Sequence, residues 1–113
     1  DNIMYRTILI VFSALFCLSL VAQAADAETE KNWKRHCAKC HGDGGAGDTR
    51  IGKKLEVLDY TNPEALKEYT DEELFKITKE GVEDTKMRGY DRKLSDEEIQ
   101  AVMAYIRGFA GES

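Results

Sequence analysis

The amino-acid sequence predicts a small all-α protein, and two observations lead to this prediction. Helix-start signals recur in the second half of the 113-residue chain, each followed by apolar residues at helical spacing. Between the helical segments, residues 42–52 hold five glycines and residues 82–93 form a second irregular stretch. We therefore expect helices that bracket two loops around one small core.

The N-terminal segment has the layout of a secretory leader and is left out of the fold prediction. Arg6 supplies one positive charge, residues 8–21 are apolar apart from two serines, and Ala-Gln-Ala at 22–24 is a small-x-small cleavage site. We predict that residues 1–24 are removed as a signal peptide and that residues 25–113, 89 in number, form one domain. Export would place this domain in the bacterial periplasm.

An uncleaved membrane anchor is the alternative for this segment. A spanning helix needs about 18 or more consecutive apolar residues, and the apolar run is shorter. Cys17 lies within the run, after a leucine and a phenylalanine, and we interpret it as a small apolar side chain.

Three helices are predicted before the C-terminal one. Residues 26–36 are expected to form a short polar helix. Asn62-Pro63 is a helix start for residues 64–69. The capping box Thr-Asp-Glu-Glu at 70–73 starts the third helix, and Gly81 suits its end.

The longest predicted helix closes the chain. Ser-Asp-Glu-Glu at 95–98 is a second capping box, and Gly108 and Gly111 are expected to end the helix. Its apolar stripe should pack on the core and contains Ile99, Val102, Met103, Ile106 and Phe109.

Residues 37–41, Cys-Ala-Lys-Cys-His, form the attachment pattern of a c-type haem. One helical turn places the sulfurs of Cys37 and Cys40 on one edge of a porphyrin, where each can add to a vinyl group, and leaves His41 to ligate the iron. The glycines over residues 42–52 suit close backbone approach around such a cofactor. A covalently held apolar macrocycle would also complete a core that is marginal in so small a domain.

A redox-active dithiol and a zinc site are the alternatives for the two cysteines. Thiol–disulfide centres normally follow a strand of a βαβ unit, and no predicted strand precedes Cys37. A zinc site would need a fourth soft or imidazole ligand besides Cys37, Cys40 and His41. Outside the leader, only His36 could supply it from the same stretch.

The second axial ligand must come from another part of the chain. Outside the leader, the candidates are Met87, Met103 and His36. Met103 belongs to the apolar stripe and is more simply a core residue, and His36 is tied to the motif by its neighbour Cys37. Met87 lies in an irregular stretch, where a thioether can reach a metal without breaking helical hydrogen bonds. We therefore predict His41 and Met87 as the ligand pair.

A His/Met pair favours electron carriage over catalysis. It leaves no open coordination position, and it raises the reduction potential relative to two histidines. A haem-containing subunit, small haem enzyme or gas sensor with a displaceable Met87 is the alternative. Outside the leader, the sequence contains no second haem motif to assist such chemistry.

The sequence after the leader resembles the class I c-type cytochromes, in particular the short bacterial ones with one haem. The likeness extends over nearly all of it and is carried by Trp33, the motif with Gly42, the turn at 52–55, Met87 and the closing segment at 94–106. The resemblance implies an all-α fold whose first and last helices cross around one haem c, with Trp33 meeting Tyr105. It also implies thioether links from Cys37 and Cys40 and electron shuttling between larger redox complexes.

One position departs from that family. Lys53 follows Gly52 where the family often has a proline whose carbonyl orients the axial histidine. Any residue can supply a carbonyl at this position, so the acceptor for His41 is left open.

The net charge of -5 is unevenly distributed. Residues 31–54 hold seven Lys or Arg against two Asp, and residues 86–93 hold four against one. We expect a basic rim near the predicted ligands that docks onto an acidic patch of a redox partner. Basic loops that are merely solvated are the alternative. The overall excess of acid argues against a nucleic-acid partner.

Overall fold

The computed structural model describes the backbone of residues 2–111 and the side chains of residues 2–8 and 26–111. The side chains of Cys17, of the predicted cleavage site at 22–24 and of most of the apolar run lie outside the described residues. Among the described residues, none of the helices combines the length and the apolar character needed to cross a membrane.

The chain is helical and has no strand within residues 2–111, which confirms the predicted all-α class. The helices of this range are α1 (Asn2–His36), α2 (Ala38–His41), α3 (Arg50–Leu55), α4 (Pro63–Lys67), α5 (Asp71–Glu80) and α6 (Asp96–Phe109).

Three helices begin where the sequence predicted them to begin. Both capping boxes form, because Thr70 and Ser95 each exchange hydrogen bonds with the glutamate three residues later. Asn62 caps α4 in front of Pro63, and its side chain accepts from Glu64 N. These caps supply partners for amides that the first helical turn leaves without one.

One helix begins earlier than predicted, and α3 was not predicted as a helix. α1 is longer than the expected segment at 26–36 and runs without interruption from Asn2. The loop expected over 42–52 ends at Thr49, whose hydroxyl accepts from Gly52 N and caps α3. Gly52 is therefore a helical residue.

The C-terminus of α6 also differs. Gly108 was expected to end the helix but lies inside it, and Ala110 follows as the cap. A glycine inside a helix costs about 1 kcal/mol relative to alanine, which the buried stripe of α6 outweighs.

The core lies where α6 crosses the end of α1. Trp33 is 1% exposed, and its ring lies 5.7 Å from Tyr105 and 5.0 Å from Phe109, measured between centroids. Asn32 Nδ2 donates to Glu98 Oε2 at 3.1 Å across the same crossing. The stripe predicted for α6 is buried, with Phe109 half-buried at its edge.

Arg107 connects α6 to the turn between α4 and α5. Its guanidinium donates to the carbonyls of Leu66 and Tyr69 at 3.0 and 2.8 Å and pairs with Asp71 at 3.0 Å. These contacts hold α5, and the irregular stretch that follows it, in a fixed position relative to α6.

Candidate functional site

A cavity of about 800 Å³ lies between the motif, α5, α6 and the stretch after α5. Its wall includes Cys37, Cys40, His41 and Met87, so the fold brings together all four predicted site residues. Much of the remaining wall is aromatic or aliphatic and contains Trp33, Tyr60, Tyr69, Leu74, Ile77, Val102 and Ile106.

The motif lies at the junction of α1 and α2. Cys37 N donates to Trp33 O at 2.9 Å, and His41 N donates to Cys37 O at 3.0 Å. Both cysteines are free thiols and half-buried. Burial, and to a smaller extent the Cys40 thiol, raises the pKa of Cys37 to about 11, so this thiol is protonated at neutral pH.

His41 is held among aromatic rings. Tyr60 stacks on the imidazole with a centroid distance of 4.9 Å and an interplanar angle of 17°, and the Trp33 ring lies 6.0 Å away. Burial lowers the pKa of His41, which favours the neutral imidazole that a metal ion requires. Nδ1 of His41 is buried and has no hydrogen-bond partner among the described residues, so Lys53 does not supply the acceptor.

Three hydrogen bonds fix the backbone around His41. Trp33 Nε1 donates to Gly42 O at 3.0 Å, Thr49 Oγ1 donates to Cys40 O at 3.0 Å, and Gly47 N donates to His41 O at 2.8 Å. Since buried carbonyls are costly to leave without a donor, these bonds restrict the orientation of the motif.

Gly52 lets α3 lie directly against this backbone. A Cβ atom at Gly52 would collide with the Cys40 carbonyl oxygen and lie 2.7 Å from Gly47 O. The close backbone approach predicted for the glycine-rich segment is therefore present, although Gly52 lies in a helix.

Residues 81–89 form an irregular turn that we call the methionine hairpin. Gly81 pairs with Arg88 in an isolated antiparallel bridge, and Val82 N donates to Met87 O at 2.9 Å. Met87 is half-buried, whereas every other residue between Gly81 and Gly89 is exposed. Of the hairpin residues that line the cavity, Met87 is thus the one that is not exposed.

The other ligand candidates have different surroundings. Met103 is 5% exposed in α6, does not contribute to the cavity wall and places its sulfur 4.0 Å from the Thr78 hydroxyl. His36 contributes to the wall beside Cys37, and its ring meets the edge of Tyr90 at 5.6 Å. The core position predicted for Met103 is confirmed.

The alternatives for the cysteines need arrangements that the described residues lack. No group of three or more His, Cys, Asp or Glu side chains placed to hold a metal ion occurs in this part of the chain. The element before Cys37 is α1 rather than a strand.

Sequence reasoning missed three polar residues of the wall, which are Tyr69, Thr78 and Thr85. Thr85 had a local signal, because a threonine hydroxyl in a turn can accept a hydrogen bond from the backbone amide two residues later. Tyr69 and Thr78 reach the cavity through the packing of α4 and α5, for which the sequence carries no local signal.

Charged residues at the cavity are mixed in sign. Glu56 and Asp84 contribute to the wall together with Lys86 and Arg88. Other basic residues of the two positive segments, such as Lys39, are exposed and lie outside the wall. The predicted basic rim is therefore interrupted by two carboxylates at the cavity itself.

These residues fit a covalently attached haem. The volume is within the range of about 300–1,000 Å³ that is usual for ligand sites, and a largely apolar lining is typical of them. Two neighbouring thiols suit covalent attachment, and imidazole and thioether groups are both axial ligands of haem iron.

Comparisons with known proteins agree with this fit. Residues 24–106 match the family described as "Cytochrome C oxidase, cbb3-type, subunit III". Among solved structures, the KustC0563 c-type cytochrome is similar, with a TM-score of 0.65 and 30% identity over 71% of this chain and 94% of that chain. A tyrosine-to-phenylalanine mutant of Kustc0563 gives a TM-score of 0.64 and 28% identity over 72% and 96%. No curated protein sequence gives a significant match.

Proposed function

The chain belongs to the family described as cytochrome c oxidase, cbb3-type, subunit III, and is a small c-type cytochrome with covalently bound haem c; on this premise we propose that it carries single electrons in the periplasm. In this proposal Cys37 and Cys40 form the thioether links, and His41 and Met87 are the axial ligands. The haem supplies the redox chemistry, because its iron exchanges one electron between the ferrous and ferric states.

The chain's own residues attach and enclose the cofactor. Each thiol would add across a vinyl double bond of the haem, so that sulfur would bond to one carbon, the thiol proton would go to the other and no group would leave. The neutral imidazole of His41 is fixed by Tyr60 and by the bonded backbone on either side. The apolar wall limits the access of water. Because the local dielectric constant is then lower, electrostatic interactions inside the cavity are stronger.

The observation that carries the proposal is that Met87 and His41 line the same cavity. Two axial ligands leave no coordination position for oxygen or peroxide, which favours electron transfer over catalysis. If Met87 were easily displaced, the same cavity would suit a small haem enzyme or a gas sensor instead.

The test uses the protein matured with haem-attachment machinery. Mass spectrometry should show one added haem, and the reduced protein should not bind carbon monoxide. Met87→Ala should bind carbon monoxide, lower the reduction potential and lose the weak red absorption band of a methionine bound to ferric iron. Met103→Leu, a buried methionine outside the wall, is the control and should keep all three properties.

Two results would overturn the proposal. A colourless mature protein would show that no haem is bound, and electron carriage would then be excluded as well. Rapid carbon monoxide binding by the unaltered reduced protein would favour the enzyme or the sensor.

The location is part of the proposal. The apolar run and the small-x-small site at 22–24 support removal of residues 1–24 and action of residues 25–113 in the periplasm. N-terminal sequencing of the periplasmic fraction should begin at Ala25. Recovery of the intact chain from the membrane fraction would show that the segment is an anchor.

Docking onto an acidic patch of a redox partner is supported by Lys86 and Arg88 at the cavity and by exposed basic residues such as Lys39. The rate of electron transfer to a partner of this kind should fall as the salt concentration rises, because exposed charges are screened. A rate that does not depend on salt would contradict electrostatic steering and leave electron carriage untouched.

The family description favours a second candidate, a haem subunit of a larger oxidase. Gentle purification from the native membrane and periplasm separates the two. A carrier should elute at the mass of a single small chain, whereas a subunit should remain with larger proteins.

A further inference from the structure

The backbone of Met87 is held by bonds within the methionine hairpin. Thr85 Oγ1 accepts from Met87 N at 3.1 Å and donates to Val82 O at 2.8 Å. One hydroxyl group therefore connects the amide of the predicted ligand residue to the opposite arm of the turn. Asp84, at the tip, has a left-handed φ of 59°, which shows how sharply the chain reverses here.

We propose that Thr85 is a positioning residue for Met87, whose hydroxyl fixes the backbone from which the sulfur reaches the iron. The inference rests on the proposed role of Met87 as an axial ligand. Thr85 also contributes to the cavity wall, but the proposed role of its hydroxyl acts through the backbone of Met87.

The base of the hairpin is held separately from its tip. Gly81 N donates to Ile77 O at 2.8 Å, and Tyr90 N donates to Thr78 O at 3.0 Å, so both arms are bonded to α5. A Cβ atom at Gly81 would lie 2.8 Å from Met87 O, and a Cβ at Gly89 would lie 2.7 Å from the Glu80 carbonyl carbon. Loss of the Thr85 hydroxyl should therefore loosen the tip and leave the base in place.

A loosened tip has a measurable consequence at the iron. An external ligand such as imidazole binds ferric iron only when the methionine is off, so its apparent affinity scales with the small open fraction. One net hydrogen bond contributes about 1 kcal/mol, which corresponds to about a fivefold change in that fraction.

The experiment compares five holoproteins, which are wild type, Met87→Ala and three threonine variants, by imidazole titration, the red methionine band and the reduction potential. Thr85→Val removes the hydroxyl with little change of shape and should raise imidazole affinity about fivefold, weaken the band and lower the potential. Thr85→Ser keeps the hydroxyl and should restore wild-type values. Thr70→Val removes an equivalent hydroxyl from the cap of α5 and should lower the unfolding free energy without changing imidazole affinity.

The outcomes separate this inference from the proposed function. If Met87→Ala keeps the red band, the ligand assignment fails and the inference fails with it. If Met87→Ala loses the band but Thr85→Val matches wild type, the ligand stands and the positioning role is wrong. If Thr70→Val raises imidazole affinity as much as Thr85→Val does, the effect is one of global stability and the inference is overturned.

Discussion

The two sides of the cavity are held by different kinds of contact. On the His41 side, Trp33 and Thr49 bond the motif backbone across a separation of nine residues, and Gly52 packs against it. In the methionine hairpin, the side-chain bonds span two or three residues and are exposed. The geometry of the His41 side thus depends on bonds beside the packing of Trp33 on α6. The tip of the methionine hairpin depends on a few exposed local bonds that compete with water.

This difference predicts which side of the cavity opens first. Exposed segments with few buried contacts open locally at a lower free energy than the core does. In the proposed ligation, the iron should therefore lose Met87 well before the domain unfolds, whereas dissociation of His41 should require global unfolding. The following variants test that asymmetry.

The largest effect is expected from Gly52→Ala. The added Cβ would meet three oxygen atoms of the motif and its loop, which are those of the Cys40 and Gly47 carbonyls and the Thr49 hydroxyl. We expect the free energy of unfolding to fall by about 3 kcal/mol, measured by denaturant titration of the holoprotein. Gly44→Ala is the matched control, since no atom lies within 4 Å of its Cβ position, and equal losses in both variants would contradict the tight contact at Gly52.

Trp33→Phe should have the next largest effect. It removes the donor to Gly42 O and part of the ring packed on Tyr105 and Phe109. We expect a loss of about 2 kcal/mol, with the red methionine band unchanged at temperatures where the protein is folded. A variant that lost the band before unfolding would show that the two sides are not independent.

Tyr90→Phe tests the contact between the two sides. Tyr90 directly follows the hairpin, and its hydroxyl donates to the carbonyl oxygen of His36 at 2.9 Å. His36 directly precedes the motif. Its removal should cost about 1 kcal/mol of unfolding free energy and also raise imidazole affinity, because the hairpin loses its connection to α1. A change in stability alone would show that the hairpin is positioned without this bond.

The smallest effect concerns pH and the α1/α6 crossing. Hydrogen bonds from the backbone amide of Ser95 and then from the Asn32 amide group lower the pKa of Glu98. Ionised Glu98 therefore stabilises the folded state fully above the ordinary glutamate pKa of about 4.3. This contribution is lost as pH falls through the lowered pKa. Unfolding free energy, measured from neutral pH to about pH 3, should fall less steeply in Glu98→Gln than in wild type. Glu73→Gln, in the equivalent box of α5, is the control, and parallel curves for wild type and Glu98→Gln would refute this contribution.

Local signals predicted the elements well, and tertiary contacts account for the differences. The capping boxes at Thr70 and Ser95 act within one helical turn, so the sequence alone was sufficient to locate α5 and α6. α3 was missed because a glycine inside a helix makes sense only once its contact with Cys40 is known.

The candidate site shows the same division. The spacing of Cys37, Cys40 and His41 indicated the motif, and elimination among Met87, Met103 and His36 favoured Met87. Cys37, Cys40, His41 and Met87 line one cavity. The stacking of Tyr60 on His41 and the lack of an acceptor for Nδ1 arise from the packing of separate segments. The mixed charge at the cavity likewise required the fold, because Glu56 and Asp84 lie far apart in the chain.

The crossing of α1 and α6 has a consequence for the order of events during biosynthesis. Asn32 and Glu98, which bond across it, are separated by 66 residues, and synthesis proceeds from the N-terminus. The two thiols and the imidazole of the motif therefore emerge long before the helix that covers Trp33 has been made. We expect the motif to be accessible to an attaching enzyme until α6 has packed on the end of α1.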